Sequence, residues 1–214
     1  MPSASEAYRV GVCIADTSKL YDATHIRHAV VSHPRAEYGL GANGRHTYQP
    51  MIDPRYIKRR ELKRTPRGSK LCSALIVSFI VGDGHPPDQT DIGFGVVEVQ
   101  RNHTYKKFGN KCRYSDDYSR YGRASAFIMS HLQYVSADMG GRRRPESAES
   151  IHRRLMHVPS VRAWERGSVI NEAFMIAANY LTGKTLAEEA DRLAIYRVHD
   201  PADGIRSMCH GRFH

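Results

Sequence analysis

Apolar residues are densest over 168–182, where Val169, Ile170, Ala173, Phe174, Met175, Ile176, Ala177, Ala178 and Leu181 crowd the stretch SVINEAFMIAANYL. Over about four turns they would cover most of a helix, which predicts a helix buried on most of its sides. Four of its polar residues, Ser168, Glu172, Asn179 and Thr182, recur at intervals of four, seven and three and so share one narrow stripe. A carboxylate on so apolar a helix faces a wet cleft or needs a partner. Its plain reading is the solvated stripe of a helix packed on three sides.

Elsewhere the pattern alternates between strand and helix periods. VGVCIA, ending at Asp16, reads as a buried strand over 10–16, and Leu20, Ala23, Ile26 and Val30 put one apolar face on a helix over 19–33, stopped by Pro34. The glycines between Gly39 and Pro54 predict a loop. Residues 71–81 and 91–100 form a hairpin around Gly82-Asp83-Gly84 with a long Pro-rich tip. Tyr121, Ala124, Phe127 or Ile128, and Leu132 share a side of a helix over 116–138, which ends in a basic loop at Gly140 to Pro145. A short amphipathic piece at 151–157, a strand-like connection at 158–164, a new element from Lys184 and a strand at 193–198 complete the chain. The expected architecture is a single α+β domain. A mostly antiparallel sheet of the 10–16, 71–81, 91–100 and 193–198 strands has the 168–182 helix packed at its centre and the 116–138 helix outside.

Charge changes this picture more than composition does. The 214 residues include 41% hydrophobic ones, ordinary for a globular protein, but 32 Lys+Arg against 22 Asp+Glu leave a net charge of +10. A basic surface of that size attracts polyanions, of which nucleic acid is the commonest. The strongest basic run is KRRELKRTPRGSK, 58–70, with seven basic residues among thirteen. Arg59, Arg60, Lys63, Arg64 and Arg67, together with the Arg142, Arg143 and Arg144 loop, are the candidate phosphate contacts, against the plain reading of a solvated charge run. Cys13, Cys72, Cys112 and Cys209 are scattered and suggest neither a zinc site nor a disulfide framework. His25 and His28 stand at i, i+3 with no third ligand nearby, so no metal site is expected. No G-x-S-x-G elbow supports a hydrolytic triad. Without a signal-like apolar run or a membrane span, the expectation is a cytoplasmic protein that does not engage a membrane, an organelle remaining open.

"INEAFMIAAN", followed by "YRVHDPAD" from Tyr196 to Asp203, resembles the ribonuclease II / ribonuclease R family. The catalytic (RNB) domain of that family carries an "EE.M..AN" helix and then an "R-V-H" segment. "IADTSKLYDATHIRHAV" is similar to its "IAD.S" segment, "QPMID" to its "IPML", and Arg101 to Tyr105 occupy the place of its "S…LTY". The resemblance spans about 8–205 and corresponds to the middle of the family domain, so it implies a partial RNB-like domain truncated at both ends.

Family members hydrolyse single-stranded RNA from its 3′ end with two Mg²⁺ held by an aspartate cluster, "D-P-x-D-A-x-D-x-D-D", just before the "IAD" strand. Here Met1 to Ala7 fill that place with Glu6 alone, and Asp200-Pro201-Ala202-Asp203 only imitates its opening. The later "T-S-P-I-R-R-Y" motif, which supplies a phosphate-stabilising arginine, does not occur, nor do the flanking barrels that grip RNA. The resemblance gives Tyr105 the role of a tyrosine packed on a nucleotide. It places Glu172 at one of two paired family glutamates, with Ala173 at the other, and Asp16 at the "IAD" aspartate. The expected function is therefore RNA binding by a ribonuclease-II-like module inactive alone. Two alternatives stand beside it. One is part of a split or fragmented Mg²⁺-dependent 3′–5′ exoribonuclease yielding nucleoside monophosphates, with another protein supplying the missing half. The other is a structural subunit of a ribonucleoprotein.

Overall fold

The computed structural model describes residues 6–16, 37–40, 46–49, 58, 61–64, 68, 70–132 and 146–189. Five strands come first: β1 (Ala7–Ala15), β2 (Glu37–Leu40), β3 (His46–Gln49), β4 (Leu71–Gly82) and β5 (His85–Glu98). Four helices follow: α1 (Tyr105–Tyr114), α2 (Asp116–His131), α3 (Ala148–His157) and α4 (Ala163–Glu189). The class is α+β, and the described strands pair antiparallel. The expected helix over 19–33 and strand over 193–198 lie outside the described residues.

β1, β4 and β5 form one sheet in the order β1-β4-β5. Tyr8, Val10 and Val12 of β1 pair with Val81, Phe79 and Val77 of β4, and Ile92 of β5 lies opposite Val77. Cross-strand partners share a face, so these residues make one apolar surface. The helices pack on it. Further along the same face Leu75 lies opposite Phe94 and Ser73 opposite Val96, where both β5 side chains are exposed. Cys72 and Ala74, on the other face, are buried as well. Burial on both faces explains the unbroken apolar reading of β4.

The hairpin is tighter than expected. Gly82 pairs with His85 across Asp83 and Gly84, and Gly84 adopts the left-handed φ of 69° that the turn needs. Pro86 and Pro87 thus lie in β5 rather than in a long tip. They sit where the register shifts between Ser78 and Gly82, in a strand whose sole described neighbour is β4. The expected loop over Gly39 to Pro54 is corrected where it is described, at 39–40 and 46–49: β2 and β3 pair antiparallel, with Tyr38 opposite Tyr48.

α2, expected on the outside, buries Ala124, Ser125, Ala126, Ile128 and Met129 and touches all three strands of the main sheet. Small residues on several of its sides permit this close approach. α3 is capped by the Ser147 hydroxyl, which accepts the Ser150 amide at 3.2 Å. The strand-like connection expected at 158–164 is instead a turn followed by the first residues of α4. Val161 N–H donates to the Val158 carbonyl at 3.2 Å, and Glu165 accepts the Arg162 amide at 2.9 Å, which caps the helix. α4 runs on past Lys184, since Gly183 to Glu189 contains nothing that stops a helix.

α4 is central, touching α1, α2, β1 and β5. Its buried side is made of Arg166, Gly167, Val169, Ile170, Ala173, Ala177, Ala178 and Leu181. The polar stripe is only partly open. Ser168, Glu172 and Thr182 are half-buried, Asn179 is exposed, and with Asn171 and Met175 it makes an exposed line at i, i+4 and i+8. Arg166, only 1% exposed, is the largest fully buried side chain. Its guanidinium donates to the carbonyls of Leu155 at 2.6 Å, Val161 at 3.1 Å and Gly109 at 3.4 Å, tying α3, the turn and α1 to α4. Cys13, Cys72 and Cys112 are free thiols, and burial pushes that of Cys112 up to about 12. Among the described residues no helix is long and apolar enough to cross a membrane.

Candidate nucleic-acid interface

α1, YKKFGNKCRY, carries Lys106, Lys107, Lys111 and Arg113 and no acidic residue. Its start is fixed by Thr104, whose hydroxyl accepts the Lys107 amide at 3.3 Å. Lysines in a first turn oppose the helix dipole, each costing roughly 0.3–1 kcal/mol where the site is exposed. The free amides and the lysines together make a concentrated positive potential. His103 registers it: burial first, then Lys111, Lys107 and Arg101, pull its pKa below the usual range, so the imidazole stays neutral near pH 7. That ring is held at 2.9 Å from the Tyr118 hydroxyl and packs edge-on to the Tyr118 ring, pinning the segment before α1 to α2.

Aromatic rings interleave with these cations. Tyr105, 52% exposed, opens α1, and Tyr114, 74% exposed, closes it with the Arg113 guanidinium 5.2 Å from its ring centre. Lys111 lies 4.6 Å from the Tyr118 centroid, and Arg162 lies 5.2 Å from that of the half-exposed Trp164. Alternating cations and exposed π-faces can hold a phosphate backbone while bases stack.

The expected phosphate contacts divide. Lys63 and Arg64 are exposed, and their segment is clamped to the start of this helix. The Arg64 amide donates to Asn102 Oδ1 at 2.8 Å, and Asn102 Nδ2 donates to the Leu62 carbonyl at 3.4 Å. The described part of the basic run is thereby anchored three residues ahead of Tyr105. Arg59, Arg60, Arg67 and the Arg142, Arg143 and Arg144 loop lie outside the described residues, as do His25 and His28.

Asp16 and Glu172 are held in different surroundings. Asp16 is 3% exposed at the end of β1, its amide donating to the Ser73 carbonyl of β4 at 3.1 Å. Glu172 is half-buried on α4, and burial raises its carboxyl above the usual range. Among the described residues no group of three or more His, Cys, Asp and Glu side chains is arranged to hold a metal ion.

The resemblance marks a helix start at Tyr105, but the basic side chains of α1 are absent from the expected phosphate contacts. Their signal is present in the sequence: Arg101 to Tyr114 contains five Lys or Arg and no Asp or Glu. The chain matches no family model, no characterised protein and no solved structure.

Proposed function

We propose that this protein binds single-stranded RNA as a ribonuclease-II-like module, with α1 as the rail that holds the strand. The observation that carries this reading is the acid-free basic helix bounded by exposed Tyr105 and Tyr114, with Lys63 and Arg64 anchored beside its start through Asn102. The net charge of +10 supports it. So does the resemblance, which places a nucleotide-stacking tyrosine at Tyr105. In this reading Lys63, Arg64, Lys106 and Lys107 take phosphates, and Tyr105 stacks on a base.

The test is fluorescence anisotropy of a labelled single-stranded RNA across a salt series. Affinity that falls steeply as salt rises is expected, because each neutralised phosphate releases counterions. Affinity indifferent to salt would overturn the reading. The same protein incubated with 5′-labelled RNA and Mg²⁺, against an EDTA control, is expected to leave the strand intact. A ladder shortening from the 3′ end would replace the binding module with a Mg²⁺-dependent exoribonuclease.

A further inference from the structure

A cleft of about 710 Å³ opens between β1, α2 and α4, with Phe108 of α1 in its wall. That volume is within the range of about 300–1,000 Å³ found for small-molecule sites. Its interior is aromatic. Tyr121 meets Phe108 edge-on at 5.6 Å and Phe174 edge-on at 6.4 Å, and Tyr121 is itself partly exposed. Met175 adds a polarisable apolar side chain, 38% exposed.

Two polar side chains lie beside this π-surface. Asn171, exposed on α4, offers an amide that both donates and accepts. Arg120 is exposed on α2 with its guanidinium 5.8 Å from the Tyr121 ring centre. Arg9, between the inward-facing Tyr8 and Val10, belongs to the other face of β1. Among the described residues no Asp or Glu lines the cleft. A flat π-surface, one amide of mixed polarity and one guanidinium are complementary to a planar heteroaromatic ring carrying a phosphate. An acyl chain would leave the amide and the cation unmatched, and an acidic peptide would leave the aromatic wall unmatched.

We infer that this cleft receives one nucleotide of the strand held along α1, its base against Tyr121 and Phe174, its edge on Asn171 and its phosphate on Arg120. The inference rests on the proposed RNA binding but concerns a different surface, so the two can fail separately. The probe is 2-aminopurine riboside 5′-monophosphate, whose fluorescence falls on stacking, titrated with the full chain. A labelled single-stranded RNA is followed by anisotropy in parallel.

Quenching with a dissociation constant near or below about 1 mM is expected, weakened about tenfold or more by Asn171→Leu and by Arg120→Glu. Both substituted positions are exposed, so thermal midpoints should not move. Paired Lys106→Glu and Lys107→Glu should weaken the RNA strongly and the mononucleotide less than about threefold. Absent quenching, or quenching indifferent to Asn171→Leu and Arg120→Glu, overturns the inference while RNA binding along α1 stands. Mononucleotide binding without RNA binding overturns the RNA reading and, with it, the assignment of the cleft to a strand; the occupant would then be a free nucleotide.

Discussion

Gly109 and Gly167 meet backbone to backbone where α1 crosses α4. A Cβ on Gly109 would lie 2.9 Å from the Gly167 nitrogen and overlap the Ala163 carbonyl oxygen. A Cβ on Gly167 would lie 2.8 Å from the Tyr105 carbonyl carbon and overlap its oxygen. Because the obstacles are backbone, they cannot swing aside as a flexible side chain would.

Gly109→Ala or Gly167→Ala should therefore force the helices apart and lower stability by about 2–3 kcal/mol. Gly183→Ala, in the same helix with nothing within 4 Å of its Cβ position, should raise it by about 0.5–1 kcal/mol. Urea unfolding of the three variants measures both signs. Equal effects at all three positions would show that the crossing is not set by these glycines.

Arg166 satisfies three carbonyls from inside the core, and no apolar replacement can do so. Arg166→Met should cost about 3 kcal/mol, since the acceptors at Leu155, Val161 and Gly109 lose a charged donor. Arg166→Lys should recover less than half of that loss, because an ammonium cannot span the fork. Thermal melts with both variants decide the point.

Along α1 the expected signature is the dependence of binding on salt. Replacing Lys106 and Lys107 with glutamate should remove two phosphate contacts. The slope of log affinity against log salt should become shallower by about 1.4, at about 0.7 per single-strand contact. A slope that does not change would place the strand elsewhere.

Tyr105→Ala should weaken RNA binding by roughly five- to a hundredfold, the loss of one stacked base, while leaving stability within about 0.5 kcal/mol because the ring is exposed. Tyr105→Phe should retain most of the affinity. A structural ring would give the opposite outcome, with a lowered melting midpoint and unchanged binding.

Glu172 gives a pH test with a definite sign. Burial raises its folded-state pKa, so just above the ordinary glutamate pKa, about 4.3, the folded chain keeps a proton that the unfolded chain has lost. Its contribution to stability consequently falls as pH rises through that window and stays lost above it. Glu172→Gln should stabilise the protein at pH 7 and have little effect at pH 3, as followed by urea midpoints. A neutral or destabilising effect at pH 7 would show that the ionised carboxylate is needed where it sits.

The strands of the main sheet and the helix over 168–182 could be read from the chain because periodicity and apolar runs record burial directly. What escaped the reading depended on contacts distant in sequence. Nothing near Asn102 announces that it will hold Arg64, and a Gly109–Gly167 crossing has no local signature. The stripe through Ser168 and Glu172 is less open than polarity implies for a related reason. Exposure along α4 depends on which neighbours arrive, and Met175 is left open while Ser168 is half covered. Tyr105 at the start of α1 was singled out by resemblance rather than by pattern, and its 52% exposure is a property of the fold that neither supplies.

Ser115 is the whole of the connection between α1 and α2. Its amide donates to the Lys111 carbonyl and ends the first helix, while its own carbonyl accepts from Tyr118 and Ser119 and starts the second. One residue doing both couples the two helix ends, so a bend between α1 and α2 would have to break the hydrogen bonds that close the first or those that open the second.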